Sequence, residues 1–456
     1  MLFTSSVFWT FYLTVLIFLQ FNYKAIKSVR LQNILLLSAS YFFYGYWDWR
    51  FLGLIFIVSA QTYIAAFLIN QNKKFCKLFL SLSIIINLMV LLYFKYANFF
   101  VSEFLDAFNI KTSYSLEYII LPVGISFYIF QSFTYLIDVY FKKIKPEQDP
   151  IKYFAFISFF PQLVAGPIER ASSLLPQFHS LRGIDSKNIY DGTKIIIIGL
   201  FLKIFVADSM IPLIDPIFSN YKENNGGTLF LAAMGFSIQI YGDFAGYSLI
   251  AIGVAKIMGF SLMKNFNTPY FSTSIQDFWR RWHISLSSFF RDYVYIPLGG
   301  SRKTKFLTNR NLLVTFTVSG LWHGANWTFI FWGFIHGILL IFQRSLPLNI
   351  DKILGWFTTI VFVILLWILF RSNTIYDFYS FVIIMISNPG FPEIGRGIFV
   401  IAFYYLILDL ILLNYTEKGS TWFDSDWIET LLLSIMFVCV IGTIPDKTQN
   451  FIYFQF

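Results

Sequence analysis

The sequence predicts an all-α membrane protein that crosses the bilayer many times, and its composition leads directly to that prediction. Of its 456 residues, 57% are hydrophobic and only 13% are charged, and its mean hydropathy is +0.64. A soluble domain carries about 25% charged residues, so a globular surface is excluded. The formal net charge of +9 comes from basic residues clustered in short loops. Such loops orient helices against the cytoplasmic face, so we expect no nucleic-acid partner.

Five apolar runs in the first 150 residues are candidates for membrane-spanning helices, which need about 20 mostly apolar residues. These runs are Val7–Phe21, Ile34–Tyr46, Phe51–Ile69, Leu78–Phe100 and Tyr118–Tyr140. Lysines and arginines concentrate in every second loop between the runs. By the positive-inside rule, this alternation places the N-terminus outside. The first run lacks a basic n-region and a small-residue cleavage site, so we expect a retained helix and not a signal peptide.

The middle of the chain is less regular. Phe154–Val164 is apolar but too short to cross, whereas Ile195–Ile214 and Leu229–Met258 are long enough. Lys264–Arg310 is apolar in patches and yet rich in arginine and lysine. Charged or irregular backbone at membrane depth is tolerated only when it is buried in protein or lines a water-filled cavity. We therefore expect several short re-entrant helices, entered from the cytoplasmic side, around a central tunnel.

Later apolar runs complete the expected topology. They are Trp327–Phe342, Ile353–Phe370, Ile398–Leu413 and Ile428–Ile444. The prediction is then about 11 spanning helices plus the re-entrant segments. Neither a fixed-period repeat nor a soluble linker is visible, so residues 1–456 are expected to form a single domain. Residues 1–150 would supply the N-terminal spanning helices, and residues 151–345 would carry the core motifs.

Two histidines lie in strongly aromatic, apolar settings. His323 is part of LWHGANWTFIFWG, and His283 is part of FWRRWHISLSSFF. An ionisable residue at membrane depth costs about 2.5 kcal/mol or more, so a functional role is the first interpretation. Burial keeps an imidazole neutral and able to accept a proton, which favours proton transfer from a hydroxyl group. The alternative is that both are hydrogen-bonded structural residues.

The remaining histidines and the cysteines indicate no metal site. His336 lies in FIHGILL, where close helix packing favours a structural role. His179, in LPQFHSLRG, is expected to be solvated or interfacial. The histidine spacing matches no compact ligand motif, so we expect no metal. Cys76 and Cys439 are isolated, which predicts neither a disulfide framework nor a cysteine metal site.

Four stretches, in order along the chain, resemble the membrane-bound O-acyltransferase superfamily. They are FFPQLVAGPIER from residue 159, YGDFAGYSLIAIG from residue 241, NTPYFSTSIQDFWRRWHISLSSFFRDYVYIPLGGSR from residue 267, and SGLWHGANWTFIFWGFIHG from residue 319. The pair WRRWH and LWHGA at this separation is the specific part, since a lone WHG would be weak. The likeness is strongest to the bacterial branch of alginate and peptidoglycan O-acetylation, with the teichoic acid D-alanyl transferase as a related protein.

The resemblance implies a mechanism and a setting. The histidine of the WHG motif maps onto His323, which would act as general base, and that of WRRWH maps onto His283, which would orient the acceptor or polarise the carbonyl. The donor would be acetyl-CoA or another cytoplasmic acyl thioester, with no bound cofactor. The final acceptor would be an envelope polysaccharide, reached through a periplasmic or extracellular acetyltransferase or esterase partner. The protein would be a multi-pass protein of the bacterial inner (cytoplasmic) membrane.

Several charged residues have two readings. Arg280 and Arg291 would suit the phosphates of acyl-CoA or of a carrier's phosphopantetheine, although snorkelling toward the interface explains them equally. Asp277 and Arg281, four residues apart, have the spacing of a same-face helix pair. Asp243 would either line the acceptor path or pair with an arginine, and we favour the pairing.

The chain ends in FIYFQF, which places Phe451, Tyr453 and Phe456 in an F-x-Y-x-x-F pattern. A similar terminal pattern occurs in related acyl-export systems, and by that resemblance Tyr453 would carry the acyl group as a phenolic ester. The alternative is an aromatic anchor at the membrane interface.

Two other functions stay open from the sequence. A polymer exporter or scaffold without catalysis would also use broken helices and polar residues at mid-membrane. An acyltransferase acting on a lipid or protein acceptor would need the same chemistry.

Overall fold

The computed structural model describes residues 1–108, 110, 119–164, 166–345, 351–393 and 426–443, and every regular element in these ranges is helical. Seven of the described helical segments are long and apolar enough to cross a membrane. Large apolar side chains such as Ile17 and Ile57 are more than 60% exposed on them, as expected for surfaces that face lipid. The prediction of an all-α, multi-pass membrane protein is confirmed.

The chain divides into two compact units, Met1–Ile196 with Ala251–Met263, and Ile197–Ile250 with Lys264–Phe456. The first unit begins with five helices: α1 Ser6–Phe21, α2 Val29–Asp48, α3 Leu52–Gln71, α4 Cys76–Leu91 and α5 Ala97–Ala107. It continues with α6 Ile125–Tyr140, α7 Pro150–Ser158, α8 Phe160–Leu163 and α9 Ala171–Leu174. Helix α10, Ser186–Leu200, begins in the first unit and ends in the second.

The second unit carries the motifs that surround the two histidines. Its helices are α11 Ser209–Ser219, α12 Gly226–Ile257 (which ends in the first unit), α13 Ile275–Arg281, α14 Ile284–Phe290, α15 Lys305–His323, α16 Trp327–Ser345, α17 Lys352–Arg371, α18 Ile375–Ser387 and α19 Asp426–Thr443. Side-chain oxygens cap several of them: Thr304 accepts from the backbone of Leu307, and Asp351 accepts from Ile353. Such caps satisfy amide groups that have no partner within the helix.

Among the described residues, four π-helical segments extend α1, α4, α10 and α14, at Asn22–Ile26, Leu92–Tyr96, Phe201–Asp208 and Arg291–Tyr295. π-Helical turns are rare and occur frequently at functional sites. The last of them lies eight residues after His283 and contains Arg291.

The first predicted spans agree with α1 to α4, but the prediction for Tyr118–Tyr140 is wrong at its start. The described helix begins only at Ile125, after Pro122 and a left-handed Gly124 (φ +73°). A Cβ atom at Gly124 would overlap the backbone carbonyl of Leu163. The close approach of that carbonyl and the proline therefore keep residues 119–124, in the first part of the apolar run, out of the helix.

The middle of the chain is broken as predicted. Phe154–Val164 contains parts of the short helices α7 and α8, and Lys264–Arg310 contains α13, α14 and a π-helical turn. Sequence reasoning did not predict α15 or α18 as helices. The predicted span Ile398–Leu413 lies outside the described residues, and the central tunnel stays a prediction.

Asp243 forms an ion pair, but its partner is a lysine and not the arginine we expected. Lys203 Nζ lies 2.6 Å from Asp243 Oδ1 and 2.7 Å from Asp208 Oδ1, and all three side chains are buried. Gly246 and Gly199 bring α12 against α10, since a Cβ atom at Gly246 would lie only 2.7 Å from the Gly199 carbonyl oxygen. This close packing places the lysine, on the π-helical segment after α10, beside the carboxylate on α12.

Candidate active site

His323 is held by a tight hairpin of α15 and α16. A Cβ atom at Gly320 would overlap the carbonyl of Phe329, and one at Gly333 would overlap the carbonyl of Phe316. The two helices therefore touch through their backbones, as small residues permit. Gly324 ends α15 in an extended conformation, with the Phe329 ring against its Cα. These glycines fix His323, the last residue of α15, at the turn of the hairpin.

Aromatic rings surround the His323 imidazole. Its ring centroid lies 5.0 Å from that of Trp322, 5.1 Å from Trp332 and 5.5 Å from Phe370, and only 2% of the residue is exposed. The His323 imidazole is therefore a polar ring enclosed largely by aromatic ones.

His283 is fully buried between α13 and α14, with a left-handed backbone (φ +43°). A non-glycine residue rarely adopts this conformation, and such outliers cluster at functional sites. His283 Nδ1 lies 3.0 Å from Asn265 Oδ1, whereas its Nε2 has no hydrogen-bond partner among the described residues. His283 lies outside the helices able to span a membrane, and burial lowers its pKa to about 3.

The structure brings the two predicted histidines to one aromatic cluster. The Trp322 ring lies 5.9 Å from the His283 ring and 5.0 Å from the His323 ring, centroid to centroid. Trp332 extends the cluster to His336, with its centroid 4.8 Å away. Three of the four histidines in the sequence therefore share one buried, aromatic environment in the second unit.

The other two histidines have identifiable partners. His336 Nδ1 accepts a hydrogen bond of 3.2 Å from the indole Nε1 of Trp279, in keeping with the structural role we expected. His179 belongs to the first unit, where its half-exposed side chain lies 2.6 Å from a carboxylate oxygen of Glu147 and 3.2 Å from Lys152 Nζ. This position matches the solvated histidine predicted from sequence.

A cavity of about 660 Å³ opens beside the histidine cluster, within the second unit. Arg280 and Arg291, for which the sequence left a phosphate site and snorkelling both open, line it, and Arg344 at the end of α16 adds a third guanidinium group. Its lining also includes Trp279 and Ser319. Ser319 precedes His323 by four residues on α15, so the cavity reaches within about one helical turn of that histidine along the helix.

Of the predicted charged pairs, Asp277 and Arg281 form the expected contact, with 3.0 Å between Oδ1 and Nε. Arg344 and Asn265 were missed. A terminal arginine on an apolar helix has the pattern of a snorkelling residue, and an uncharged amide in a loop follows no periodicity that would single it out.

The structure does not test the predicted role of Tyr453 or the expectation that no metal is bound. Tyr453 lies outside the described residues. Within the described part of the chain, no group of three or more His, Cys, Asp or Glu side chains is arranged to hold a metal ion.

The apolar spans define a multi-pass membrane protein, and the broken helices of its second unit bury histidines among aromatic rings. The membrane-bound O-acyltransferase family matches residues 140–382. A probable alginate O-acetylase of Azotobacter vinelandii is 41% identical over 389 residues, 82% of this chain and 76% of that protein. The chain belongs to the membrane-bound O-acyltransferase family and is an O-acyltransferase.

Further relatives differ in the acceptor they are named for. A peptidoglycan O-acetyltransferase of Helicobacter pylori is 32% identical and covers 94% of this chain and 92% of its own length. A teichoic acid D-alanyltransferase of Bacillus subtilis is 30% identical over a shorter region, 48% of this chain and 58% of its own length. The bacterial branch predicted from the sequence motifs is confirmed.

Proposed function

We propose that this protein transfers an acetyl group from a cytoplasmic thioester through the membrane, for O-acetylation of a cell-envelope polysaccharide. The observation that carries the proposal is the convergence of His283 and His323 on Trp322, next to a cavity with three arginines. The full-length likeness to a peptidoglycan O-acetyltransferase and the higher identity to alginate O-acetylases support an acetyl group and a glycan acceptor.

The cavity suits the donor. Arg280, Arg291 and Arg344 present guanidinium groups to a volume of about 660 Å³. Guanidinium groups bind phosphate oxygens in bidentate geometry, and both acetyl-CoA and a carrier's phosphopantetheine carry phosphate. With the phosphates at the arginines, the thioester arm would extend toward Ser319 and the histidine beyond it. The protein needs no bound cofactor for this reaction.

His323 is the proposed general base. It takes the proton of the acceptor hydroxyl while that oxygen attacks the thioester carbonyl and the new C–O bond forms. When the C–S bond breaks, the thiolate leaves and receives the same proton from His323. A positioned imidazole contributes about 10²- to 10⁴-fold by such proton transfer. His283 acts beside it, on the acceptor or on the carbonyl.

The remaining proposals concern the setting. The protein would reside in the bacterial inner membrane, and a periplasmic or extracellular acetyltransferase or esterase would complete delivery to the polysaccharide. Tyr453 would receive the acetyl group first, as a phenolic ester, and pass it on. An acyl acceptor on a lipid or a protein is the second candidate, since the same histidines would serve it.

A His323→Ala variant tests the proposal. We expect normal amounts of protein in the membrane and at least a 100-fold loss of acetyl ester on the envelope polysaccharide, because the base is missing. Acetyl ester would be measured on purified polymer from cells in which this chain is the sole acyltransferase of its kind. His179→Ala is the matched control, because it removes a half-exposed histidine of the first unit.

Wild-type acetylation by His323→Ala would refute the assigned base. Acetyl label that appears in lipid or protein fractions, and is absent from polysaccharide, would instead favour the second candidate acceptor.

A further inference from the structure

The hydrogen bonds around His283 decide which of its ring nitrogens carries the proton. Asn265 Oδ1 lies 3.0 Å from His283 Nδ1, and it also accepts from Ser285 Oγ at 2.9 Å and from the Ser285 backbone N–H at 3.4 Å. The Asn265 Nδ2 group donates to Ser248 Oγ at 3.1 Å on the other side. All four residues are buried.

The orientation of the Asn265 amide follows from chemistry. A backbone N–H can only donate, so the Asn265 atom that faces Ser285 must be the oxygen. That oxygen has no hydrogen to give, so the bond between His283 Nδ1 and Asn265 exists only with Nδ1 as its donor. The Ser285 hydroxyl also lies 3.4 Å from Nδ1, but it donates its hydrogen to the nearer Asn265 oxygen at 2.9 Å. In a neutral imidazole only one ring nitrogen is protonated, so Nε2 carries the lone pair.

The backbone holds this arrangement in place. The N–H of Ile284 donates to the Asn265 carbonyl at 2.8 Å, and the N–H of Asn267 donates to the Arg281 carbonyl at 2.9 Å. These two bonds tie the segment before α13 to the left-handed turn that contains His283. The Asn265 side chain is thus held beside the imidazole by two non-helical segments that are joined through their backbones.

We infer that Asn265 is a positioning residue for acyl transfer. It holds His283 in the tautomer whose Nε2 accepts a hydrogen bond from the molecule that receives the acyl group. The inference rests on the proposed function, and it selects one of the two roles left open for His283. Only a hydrogen-bond donor can polarise the thioester carbonyl, and Nε2 in this tautomer accepts hydrogen bonds. His283 therefore orients the molecule that receives the acyl group.

The two histidines then bind different groups of the molecule that receives the acyl group. Whether a sugar hydroxyl attacks the thioester or the acetyl ester of Tyr453, His323 takes its proton, and His283 Nε2 accepts a hydrogen bond from a second donor on the sugar, such as the neighbouring hydroxyl. His283 Nε2 is fully buried and has no hydrogen-bond partner in the described part of the chain, and it is the atom to which this second donor would bind.

The tautomer is measured directly by ¹⁵N NMR of the full-length protein in lipid nanodiscs with labelled histidine. The His283 signals are those missing from a His283→Gln variant. We expect a protonated Nδ1 and a bare Nε2 in the wild type, and a mixture of tautomers in Asn265→Leu. Asn33→Leu, which removes another buried amide in the first unit, is the control and should leave the His283 signals unchanged.

Activity gives a second readout, in membranes that contain the periplasmic or extracellular partner, with acetyl-CoA as donor and alginate oligosaccharides as acceptor. We expect Asn265→Leu to lower turnover about 10- to 100-fold with the KM for acetyl-CoA within about twofold, as for other residues that orient a functional imidazole. Asn265→Asp keeps an oxygen for Nδ1 and should restore turnover. Its charge stabilises the imidazolium, so the acidic limb of its pH profile should move to higher pH. A purely structural amide would cause no such shift.

A wild-type His283 with its proton on Nε2 would overturn the inference, as would full turnover in Asn265→Leu when His283→Gln is inactive. If the wild type transfers acetyl to no glycan, the proposed function fails, whereas the NMR assignment still decides whether Asn265 sets the tautomer.

Discussion

At the scale of single residues, the sequence located the imidazoles but not what holds them. His323 and His283 stood out because a titratable group among aromatic residues is costly and therefore unusual. Asn265 carries no charge and lies in a loop, so nothing in its neighbourhood of the sequence marks it. The partner of Asp243 was predicted to be an arginine and is Lys203, because the pairing depends on where a π-helical segment places its side chains.

Glu169, in the GPIER motif, is a buried carboxyl whose ionisation opposes folding. One of its oxygens accepts from the backbone N–H of Met263 at 2.6 Å, and only 1% of the residue is exposed. Burial raises the pKa of Glu169 to about 7. The folded state therefore favours the protonated form. The stability this contributes is complete below the ordinary carboxyl pKa, near 4.5, and is lost as pH rises through 7.

We expect Glu169→Gln to remove this pH dependence, because glutamine keeps an acceptor oxygen and has no charge to bury. The wild-type Tm in detergent should fall by a few degrees between pH 4.5 and 7 relative to the variant. Thermal unfolding at several pH values measures the difference, and Glu103→Gln, an exposed carboxyl of α5, is the control. Parallel Tm curves for wild type and Glu169→Gln would contradict the prediction.

At the scale of helices, hydropathy predicted the long elements that face lipid. It missed α15, which has a polar side, and α18, which is apolar but has only 13 residues and is too short to span a membrane. The helix that ends at His323 carries Thr315 and Ser319 toward the cavity, and its Asn311 is buried. A helix with one polar, protein-facing side lacks the uniformly apolar composition of a membrane span. The sequence feature that does reflect α15 is the set of glycines at which it packs against α16. Glycines can be assigned to helix packing only when the neighbouring helix is known.

Gly333→Ala tests the importance of that hairpin. A methyl group at this position would overlap the carbonyl of Phe316 and crowd Gly320. We expect α16 to shift, and with it Trp332, which contacts His323. Polysaccharide acetylation should fall at least about tenfold and the Tm should drop, since overpacking costs about 1–3 kcal/mol. Both quantities are measured on membranes that contain equal amounts of the protein.

Gly53→Ala is the matched control, because a Cβ atom there meets no atom within 4 Å. Alanine also favours a helix interior over glycine, so this variant should be as stable as the wild type or slightly more stable. Equal activity in Gly333→Ala and Gly53→Ala would show that close packing at Gly333 does not position His323.

At the scale of the whole molecule, composition was sufficient for the class of protein because the bilayer restricts what can span it. Lipid offers backbone groups no hydrogen-bond partners, so only helices and closed β-barrels can span it. Continuous apolar runs of about 20 residues fit helices and not the short, alternating strands of a barrel. The family could be predicted from the order of the motifs, because the pair WRRWH and LWHGA at this separation is specific to it. The proposed acyl path across the membrane has no comparable sequence signal, because it would depend on side chains from many helices at once.

The proposed path would be completed by Tyr453, at the far end of the chain. Transfer to its phenolic oxygen forms a C–O bond, breaks the thioester C–S bond and returns the hydroxyl proton to the thiolate. Phenolate is a better leaving group than a sugar alkoxide, so transfer of the acetyl group from the phenolic ester to a sugar hydroxyl is downhill. We expect Tyr453→Phe, which removes only the phenolic oxygen, to abolish polysaccharide acetylation while thioester binding and membrane insertion persist. The measurement is acetyl ester per polymer, alongside labelling of the protein by radioactive acetyl-CoA.

Tyr379→Phe, which alters a tyrosine of α18 that is 61% exposed, controls for loss of a hydroxyl elsewhere. If the relay operates, the wild type and Tyr379→Phe become labelled and Tyr453→Phe does not. An aromatic anchor would need only the ring, which phenylalanine supplies at least as well. Full acetylation in Tyr453→Phe, combined with loss of the protein from the membrane when residues 451–456 are deleted, would therefore identify the terminus as an anchor. In that case the acetyl group would pass directly from the thioester to its acceptor at His323.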